Sequence, residues 1–510
     1  MKKYIIVSLL AAFFIVGCTD LDEQVYDKID ANEFYDSEIG ADAALASVYA
    51  LIPGNWDGKG LIGADRGYYD LNNMSTDEQV VPHRVTGDWE PDFAWFHKRM
   101  WTPGHGFINN AWNWLYDCVF HANLAVELLE NANADNEVVA EAKVLRAFFY
   151  YLLMDDFGNV PFFTDNNLTV DQIPQKSRAE IFDFIVTELE DNVAFLSEEK
   201  GGSYYGRFNK WAGYALLAKV YLNAEVYTGT PKWQECLNAC EALEEGGFSL
   251  HPAVSDASHP NGNTYFELFG DQCPDDEVIL ALYIELDVVG RNITTIRSFG
   301  GTDGALLFGE TVSTWNGTII PTEFLNQFDD IDIRKRQFRY GSEPFGPRPA
   351  GFIVYDPEED NYIDPGAERD GGARSMKWWP AGTVNGGGAS NDFPIYRYAD
   401  MLLMKAECLV QQNKAGEAKP FVDQVRERAG LDALNADPTL EDIYNERSKE
   451  LSLEGHKRQD MIRFGTFTKA HGEDENGDPI VPAVDSHYEL FPIPTAAIDA
   501  NPSLQQNTGY

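Results

Sequence analysis

Apolar side chains recur at helical spacing through much of this chain. In "EAKVLRAFFYYLLMDDFGNVPFF", Val144, Ala147, Phe148, Tyr151 and Leu152 form one continuous stripe, and Gly158 and Pro161 supply the stop. "RAEIFDFIVTELEDNVAFL" repeats the pattern at Ile181, Ile185, Leu189 and Val193. "NKWAGYALLAKVYLNAEVY" and "PKWQECLNACEALEEGG" follow, the second opened by Pro231 and closed by Gly246. A later set marks one helix at Leu402, Ala406 and Leu409 and a partner at Ala418, Val422 and Val425, with the break placed near Gly416. Antiparallel helix pairs with Gly turns are tetratricopeptide-like, although no clean 34-residue period is present. The fold class predicted is mainly α, with tetratricopeptide-like pairs carrying an irregular, loop-rich part that contains short strands.

The N-terminus breaks the pattern. Behind Lys2 and Lys3, the run from Tyr4 to Val16 carries polar groups only at Tyr4 and Ser8. It is shorter than the roughly 20 apolar residues that span a bilayer, and it fits the apolar core of a signal peptide. Ile15-Val16-Gly17-Cys18 matches a bacterial lipobox, so the mature chain is expected to start at Cys18, with acyl chains on its thiol as the membrane anchor. The alternative is an ordinary secretory signal with an incidental Cys. Asp20-Leu21-Asp22-Glu23 looks like an export tag for the outer face of an outer membrane. The expected organisation is a signal peptide over 1–17, an acidic tether over 18–38 and a helical scaffold with an aromatic loop over 39–247. A loop-rich insertion over 248–393 and a second helical part over 394–510 complete it.

That insertion is rich in Gly, Pro, Asn and Thr, as in "GGTDGALLFGETVSTWNGTII" and "VNGGGASND". Loops on rigid helices are the usual binding surface. Five tryptophans fall in "DWEPDFAWFHKRMWTPGHGFINNAWNWLYDC". Trp112 shares a helical stripe with Leu115 and reads as core. Trp89, Trp95 and Trp101 are interrupted by Pro91 and followed by Pro103-Gly104, so neither a helix nor a strand explains them. Indoles on loops present flat faces to the C–H face of a sugar, while Asp, Asn and Arg bond its hydroxyls. The competing reading is that these rings pin a long loop to the helices. Trp315, in "STWNGTII", is a second candidate, and Trp378-Trp379 a third unless "MKWWP" is a strand packing one ring inward.

Charge narrows the function. With 82 Asp+Glu against 39 Lys+Arg, the formal charge is −43, and removal of Lys2 and Lys3 with the signal lowers it further. Such a surface repels phosphate backbones and excludes nucleic acid as a partner. Cys118, Cys236, Cys240, Cys273 and Cys408 make no disulfide framework and lack the second pair a zinc site needs, so they read as buried apolar residues. No metal and no cofactor is expected.

Glu446, Glu450 and Glu454 lie at successive i, i+4 positions in "ERSKELSLEGHKRQD" and invite an acid-pair reading. One helix satisfies the carboxyl spacing of a glycosidase without any cleft. A structural ion-pair network explains them better, with Glu454 and Arg458 as an i, i+4 pair and Arg447 and Arg463 as neutralisers. His456 lacks the second His of HExxH, and no nucleophile elbow, Walker loop or dinucleotide fingerprint is present. "DENGDP" at 474–479 has alternating oxygen donors, but Pro479 stands where a calcium loop needs Gly, and a solvated loop is expected.

Several stretches, in order along nearly the whole chain, resemble the SusD/RagB-like outer-membrane lipoproteins. They include the lipobox with "CTDLDE", "RAFFYYLLMDDFGNVPFF", "RFNKWAGYALLAKVYLNAE", "FPIYRYADMLLMKAECL", "VDQVRERAGL" and "LFPIPTAAIDANPSLQQNTGY". The resemblance implies four tetratricopeptide-like helix pairs with a looped subdomain. It also implies a non-catalytic lipoprotein at the cell surface, seated as a lid on a SusC-like TonB-dependent transporter and capturing oligosaccharides for it. "MSTDEQVVPHRVTGDW" matches a family segment and carries over Arg84 and Trp89 as ligand-side residues, while Trp315 falls in the "NG" segment before "FLNQFDD". Some relatives handle peptides, so the same architecture capturing peptides is an alternative, and a surface hydrolase is a third reading.

Overall fold

The stripes become helices that stop where the backbone is made to turn. The computed structural model describes residues 37–510 except 55–57, 85–88, 90, 343–347, 359–369 and 475. The signal peptide, Cys18 and nearly all of the tether lie outside the described residues. The first helices are α1 (Glu38–Tyr49), α2 (Tyr68–Met74), α3 (Asp92–His97), α4 (Gly106–Ala132), α5 (Asn136–Phe157) and α6 (Arg178–Asn192). They continue through α7 (Lys210–Leu222), α8 (Ala224–Thr228) and α9 (Trp233–Glu244). The irregular region carries α10 (Thr294–Ser298), α11 (Asp303–Phe308) and α12 (Thr322–Leu325). The later set is α13 (Tyr398–Gln411), α14 (Ala415–Arg428), α15 (Leu440–Glu450), α16 (Lys457–Arg463) and α17 (Thr495–Ala500).

Local chemistry sets the ends. Helix α5 stops at Gly158, whose φ of +71° disfavours any other residue. Helix α6 opens with a capping box in which Ser177 and Glu180 each accept the other's backbone N–H. Three boundaries differ from expectation. Helix α9 begins at Trp233, just after Pro231. The late break falls at Asn413, which takes φ +62°, and Gly416 sits inside the first turn of α14. Asparagine tolerates the left-handed turn, so glycine was not needed there. Pro91 does not interrupt structure but caps α3, placing Trp95 on a short helix.

Helix α4 packs on α5, α5 on α6, α7 on α9 and α13 on α14, while α9 also reaches α13. One hydrophobic core runs through both helical parts. The described strands pair only two at a time. They are β1 (Val160–Pro161) with β2 (Gln175–Lys176), β3 (Val278–Leu282) with β8 (Phe393–Arg397), and β4 (Phe338–Arg339) with β5 (Arg374–Ser375). The others are β6 (Val384–Asn385) with β7 (Gly388–Ala389), and β9 (His471–Glu473) with β10 (Pro479–Val481). The β3–β8 pair is antiparallel and sets Val278 opposite Arg397, at the doorway from the irregular region into α13. Asp474 and its neighbours form the turn of the β9–β10 hairpin, where the exposed Asp474 carboxylate accepts the N–H groups of Asn476 and Asp478.

At that doorway a buried charge network forms. Arg397 donates to Glu277 (2.8 Å), Glu450 (2.6 Å) and Glu454 (2.7 Å). Arg334 reaches Glu446 and Glu450, Arg428 reaches Glu277 and Glu450, and Lys377 reaches Glu454 at 2.7 Å. The network exists, but its pairs are not the ones expected. Helix α15 ends at Glu450 and the chain turns through Leu453 at φ +64°, so Glu454 is no longer one turn below Arg458. Arg458 pairs with Asp156 (3.1 Å), Arg447 with Asp400 and Asp460, and Arg463 with Glu407 and Asp460.

Burial pushes the Glu450 carboxyl up, but Arg428, Arg397 and Arg334 overcome it and hold it below the ordinary range. Arg397 and Lys377 do the same for Glu454, and neighbouring cations do so for Asp400 and Asp460. Elsewhere burial wins, raising Glu78 to about 8 and Asp392 to about 7.

Arg397→Ala leaves three buried carboxylates short of a partner, and urea unfolding should show a loss of about 3–5 kcal/mol; a loss below about 1 kcal/mol contradicts this role. The pH profile follows from the signs. Depressed carboxyls contribute stability above about pH 4 that is lost as pH falls through their folded values. Raised ones cost stability as pH climbs from about 4 towards 7 and 8. Buried His97, His456 and His471, whose pKa burial lowers, offset that cost up to about pH 6.5, so the melting temperature should fall below about pH 4 and fall again above about pH 6.5. A steady rise from pH 5 to 8 would contradict that balance.

Candidate functional site

Three residues singled out in the sequence meet at one turn of the irregular region. Asn316 takes φ +52°, and a Cβ on Gly317 would lie 2.7 Å from Arg297 and 2.8 Å from Trp89. The turn is clamped by side chains. Arg84 donates to the carbonyls of Asn316 (2.5 Å) and Gly317 (3.3 Å), and Arg374 donates to the Asn316 side-chain oxygen at 3.2 Å. The Trp89 indole N–H is shared between the Trp315 and Asn316 carbonyls, each at 3.1 Å. Trp315 in turn donates its indole N–H to Gly386 in the β6–β7 hairpin at 3.0 Å.

The roles within that cluster differ from expectation at Arg84. It is 1% exposed and donates to backbone carbonyls, so it shapes the turn from inside. Trp89 and Trp315 are half-buried. Trp89 also meets Phe93 edge-on (centroids 5.6 Å, 83°), with the Arg66 guanidinium 5.9 Å from its ring.

Trp95 and Trp101 part company. Trp95, on α3, is 49% exposed, and its carbonyl accepts the N–H of the exposed Met100. Trp101 is 2% exposed. At Arg99 the backbone turns left-handed, and Trp101 enters the core between Phe96, Tyr488 and Phe491, donating its indole N–H to the Tyr510 hydroxyl at 2.8 Å. It is a loop anchor, and the expectation that it faces ligand does not fit its position. Trp112 is core.

A second candidate surface lies away from that turn. A cleft of about 1010 Å3 opens between the 256–275 segment and a wall formed by Phe308 of α11, Trp379 and Val384 of β6. "MKWWP" is a bend, with Trp378 buried against Phe393 and Trp379 half-exposed. The paired tryptophans hinted at this wall; nothing in the sequence pointed to Phe308, which arrives from a helix 70 residues earlier.

Glu454 borders a small cavity of about 70 Å3 beside Lys219 and His456, and Glu446 and Glu450 do not line it. All three glutamates are buried and paired with Arg or Lys, which leaves no carboxyl free to move a proton. The described cysteines are free and buried, and burial raises the Cys118 and Cys236 thiols. Among the described residues no group of His, Cys, Asp and Glu is placed to hold a metal ion.

These positions separate a buried ring, Trp101, from an exposed one, Trp95. Trp101→Ala should lose about 3–5 kcal/mol in urea unfolding, whereas Trp95→Ala should stay within about 0.5 kcal/mol of the parent. Equal losses would contradict the assignment.

Comparison with known proteins adds to this picture. A family profile described as "SusD family" matches residues 354–510, and one described as "Starch-binding associating with outer membrane" matches 58–222. The chain is 24% identical to the starch-binding protein SusD of Bacteroides thetaiotaomicron over 90% of its own length and 89% of that protein. A SusD homolog from the same species superposes with a TM-score of 0.74 at 20% identity, covering 94% of this chain and 98% of the other. Surface glycan-binding protein A of that species, solved in complex with laminarihexaose, superposes with a TM-score of 0.69 at 21% identity, covering 92% and 99%. Two profiles at opposite ends of the chain and a fold shared along nearly its whole length agree: the chain belongs to the SusD/RagB family of outer-membrane nutrient-binding proteins.

Proposed function

We propose that this chain is a glycan-binding lipoprotein of the cell surface. In this reading it is tethered by acyl chains on Cys18, captures oligosaccharides and passes them to a SusC-like TonB-dependent transporter. The observation that carries the reading is the placement of Trp89, Trp95 and Trp315. Trp95 stands exposed on a short helix, and the other two are half-buried at a turn whose backbone is fixed by Arg84 and Arg374. Rings held on a rigid backbone lose little entropy when a sugar stacks on them. Relatives that bind starch or were solved with laminarihexaose support a carbohydrate ligand. The family comprises binding proteins rather than catalysts, and the paired state of the buried carboxylates agrees with capture without cleavage.

Membrane attachment rests on the lipobox. No helix among the described residues is long and apolar enough to cross a membrane, and one acyl chain binds a membrane only marginally, so stable anchoring needs more than one.

Affinity electrophoresis of the mature protein against a polysaccharide panel, with product analysis, tests the reading. Retention by at least one polysaccharide without released sugar is expected, and Trp95→Ala or Trp315→Ala should weaken it. Released sugar, or binding of peptides alone, would contradict it. Radiolabelled palmitate should enter the wild-type chain and not Cys18→Ala; equal labelling would remove the tether.

A further inference from the structure

The cleft facing Phe308 and Trp379 has a composition that selects among ligands. Phe308 and Trp379 meet at a corner, with centroids 5.2 Å apart and planes tilted by 59°. A sugar ring set into such a corner lays its C–H face on one ring and its edge against the other. The lining also carries Asp256, Glu267 and Asp275, together with His259, and among the described residues no lysine or arginine lines the cleft. Carboxylates accept hydrogen bonds from neighbouring hydroxyls and repel other anions. The volume suits an oligosaccharide segment, being at the upper end of ordinary ligand sites.

Trp379 is also held in place from behind. Asn391 donates to the Trp379 carbonyl at 2.8 Å, and Thr295 donates to the Trp378 carbonyl at 2.6 Å. Trp378 stacks on Phe393 (5.4 Å, 9°), and the preceding Lys377 is pinned to Glu454 at 2.7 Å. A ring so supported is pre-organised, which reduces the ordering cost of binding.

We infer that this cleft is a second carbohydrate subsite, separate from the Trp89–Trp315 turn, and that it takes glycans free of carboxylate and sulfate groups. The inference rests on the glycan-binding reading above and narrows it. The two surfaces flank one hairpin. Val384 of β6 lines the cleft, and the turn residue Gly386 accepts the Trp315 indole N–H, so a single saccharide chain can contact both. The charge selection has a local cause and a global one. Three carboxylates within a Debye length of about 8 Å of a bound sugar are poorly screened, and the whole chain carries a formal charge of −43.

Titration calorimetry on the mature protein tests this with malto-, laminari-, cello-, manno- and xylohexaose and with hexagalacturonate. At least one uncharged hexasaccharide should bind. Trp379→Ala and Phe308→Ala should each weaken it tenfold or more with melting temperature retained, and hexagalacturonate should bind at least tenfold more weakly. Asp275→Lys, a change at an exposed side chain, should raise affinity for hexagalacturonate several-fold relative to that for the uncharged ligand. If uncharged ligands bind but neither cleft variant alters affinity while Trp95→Ala does, the subsite is wrong and the glycan reading stands. Tightest binding to hexagalacturonate would overturn the charge selection. Binding of none of the six would overturn the inference as well.

Discussion

Arg397 is the point on which the two halves of this protein depend. It sits where β8 becomes α13 and bonds Glu277 before β3, Glu450 at the end of α15 and Glu454 in the turn beyond. Burying these groups is expensive, and such a network is seldom a net source of stability relative to a well-packed apolar core. Its effect is on arrangement. A carboxylate that must find a guanidinium fixes the register of β3 on β8 and the angle at which the irregular region leaves the helices. Through Lys377, the same cluster reaches the residue before Trp378-Trp379.

That connection explains how a region short of regular structure holds aromatic rings steady. The described part of the 278–393 segment has few long ladders, so its backbone groups are satisfied by short bridges such as Asn292–Ala389 and Ile320–Ala373 and by side chains. Arg84, Arg374 and Trp89 together serve the carbonyls and side chain of the Asn316–Gly317 turn. Thr295 and Asn391 serve the Trp378 and Trp379 carbonyls. Loops bound in this way keep the sequence freedom of loops with little of their entropy, which suits a surface that must recognise a flat, polar, weakly binding ligand.

The sequence was informative wherever the governing interactions are local. Helical stripes at Val144 to Leu152 and at Ile181 to Leu189 depend on neighbours within two turns, and so does the stop at Gly158. It was misleading where partners are distant. The i, i+4 rule paired Glu454 with Arg458, but the helix had already ended and the partner was Arg397, 57 residues away. Trp95 and Trp101 look alike in sequence, and what separates them is Tyr488, Phe491 and Tyr510 at the far end of the chain. Arg84 stands beside the indoles and holds their turn through the Asn316 and Gly317 carbonyls, partners more than 230 residues away that no local pattern reveals. The family resemblance placed Arg84, Trp89 and Trp315 near one another's level of importance, and only the fold brought them to one turn.

The central claim is that a charge-stapled helical frame presents pre-set indole faces to a sugar. A crystal structure of the mature chain with a bound oligosaccharide tests it most directly. The account predicts a sugar ring in van der Waals contact, at about 4 Å, with Trp95, Trp315 or Trp379, and the backbone at 315–317 and 378–380 unmoved. A saccharide seated away from all of these rings, or a site assembled only by rearrangement of those two turns, would contradict it.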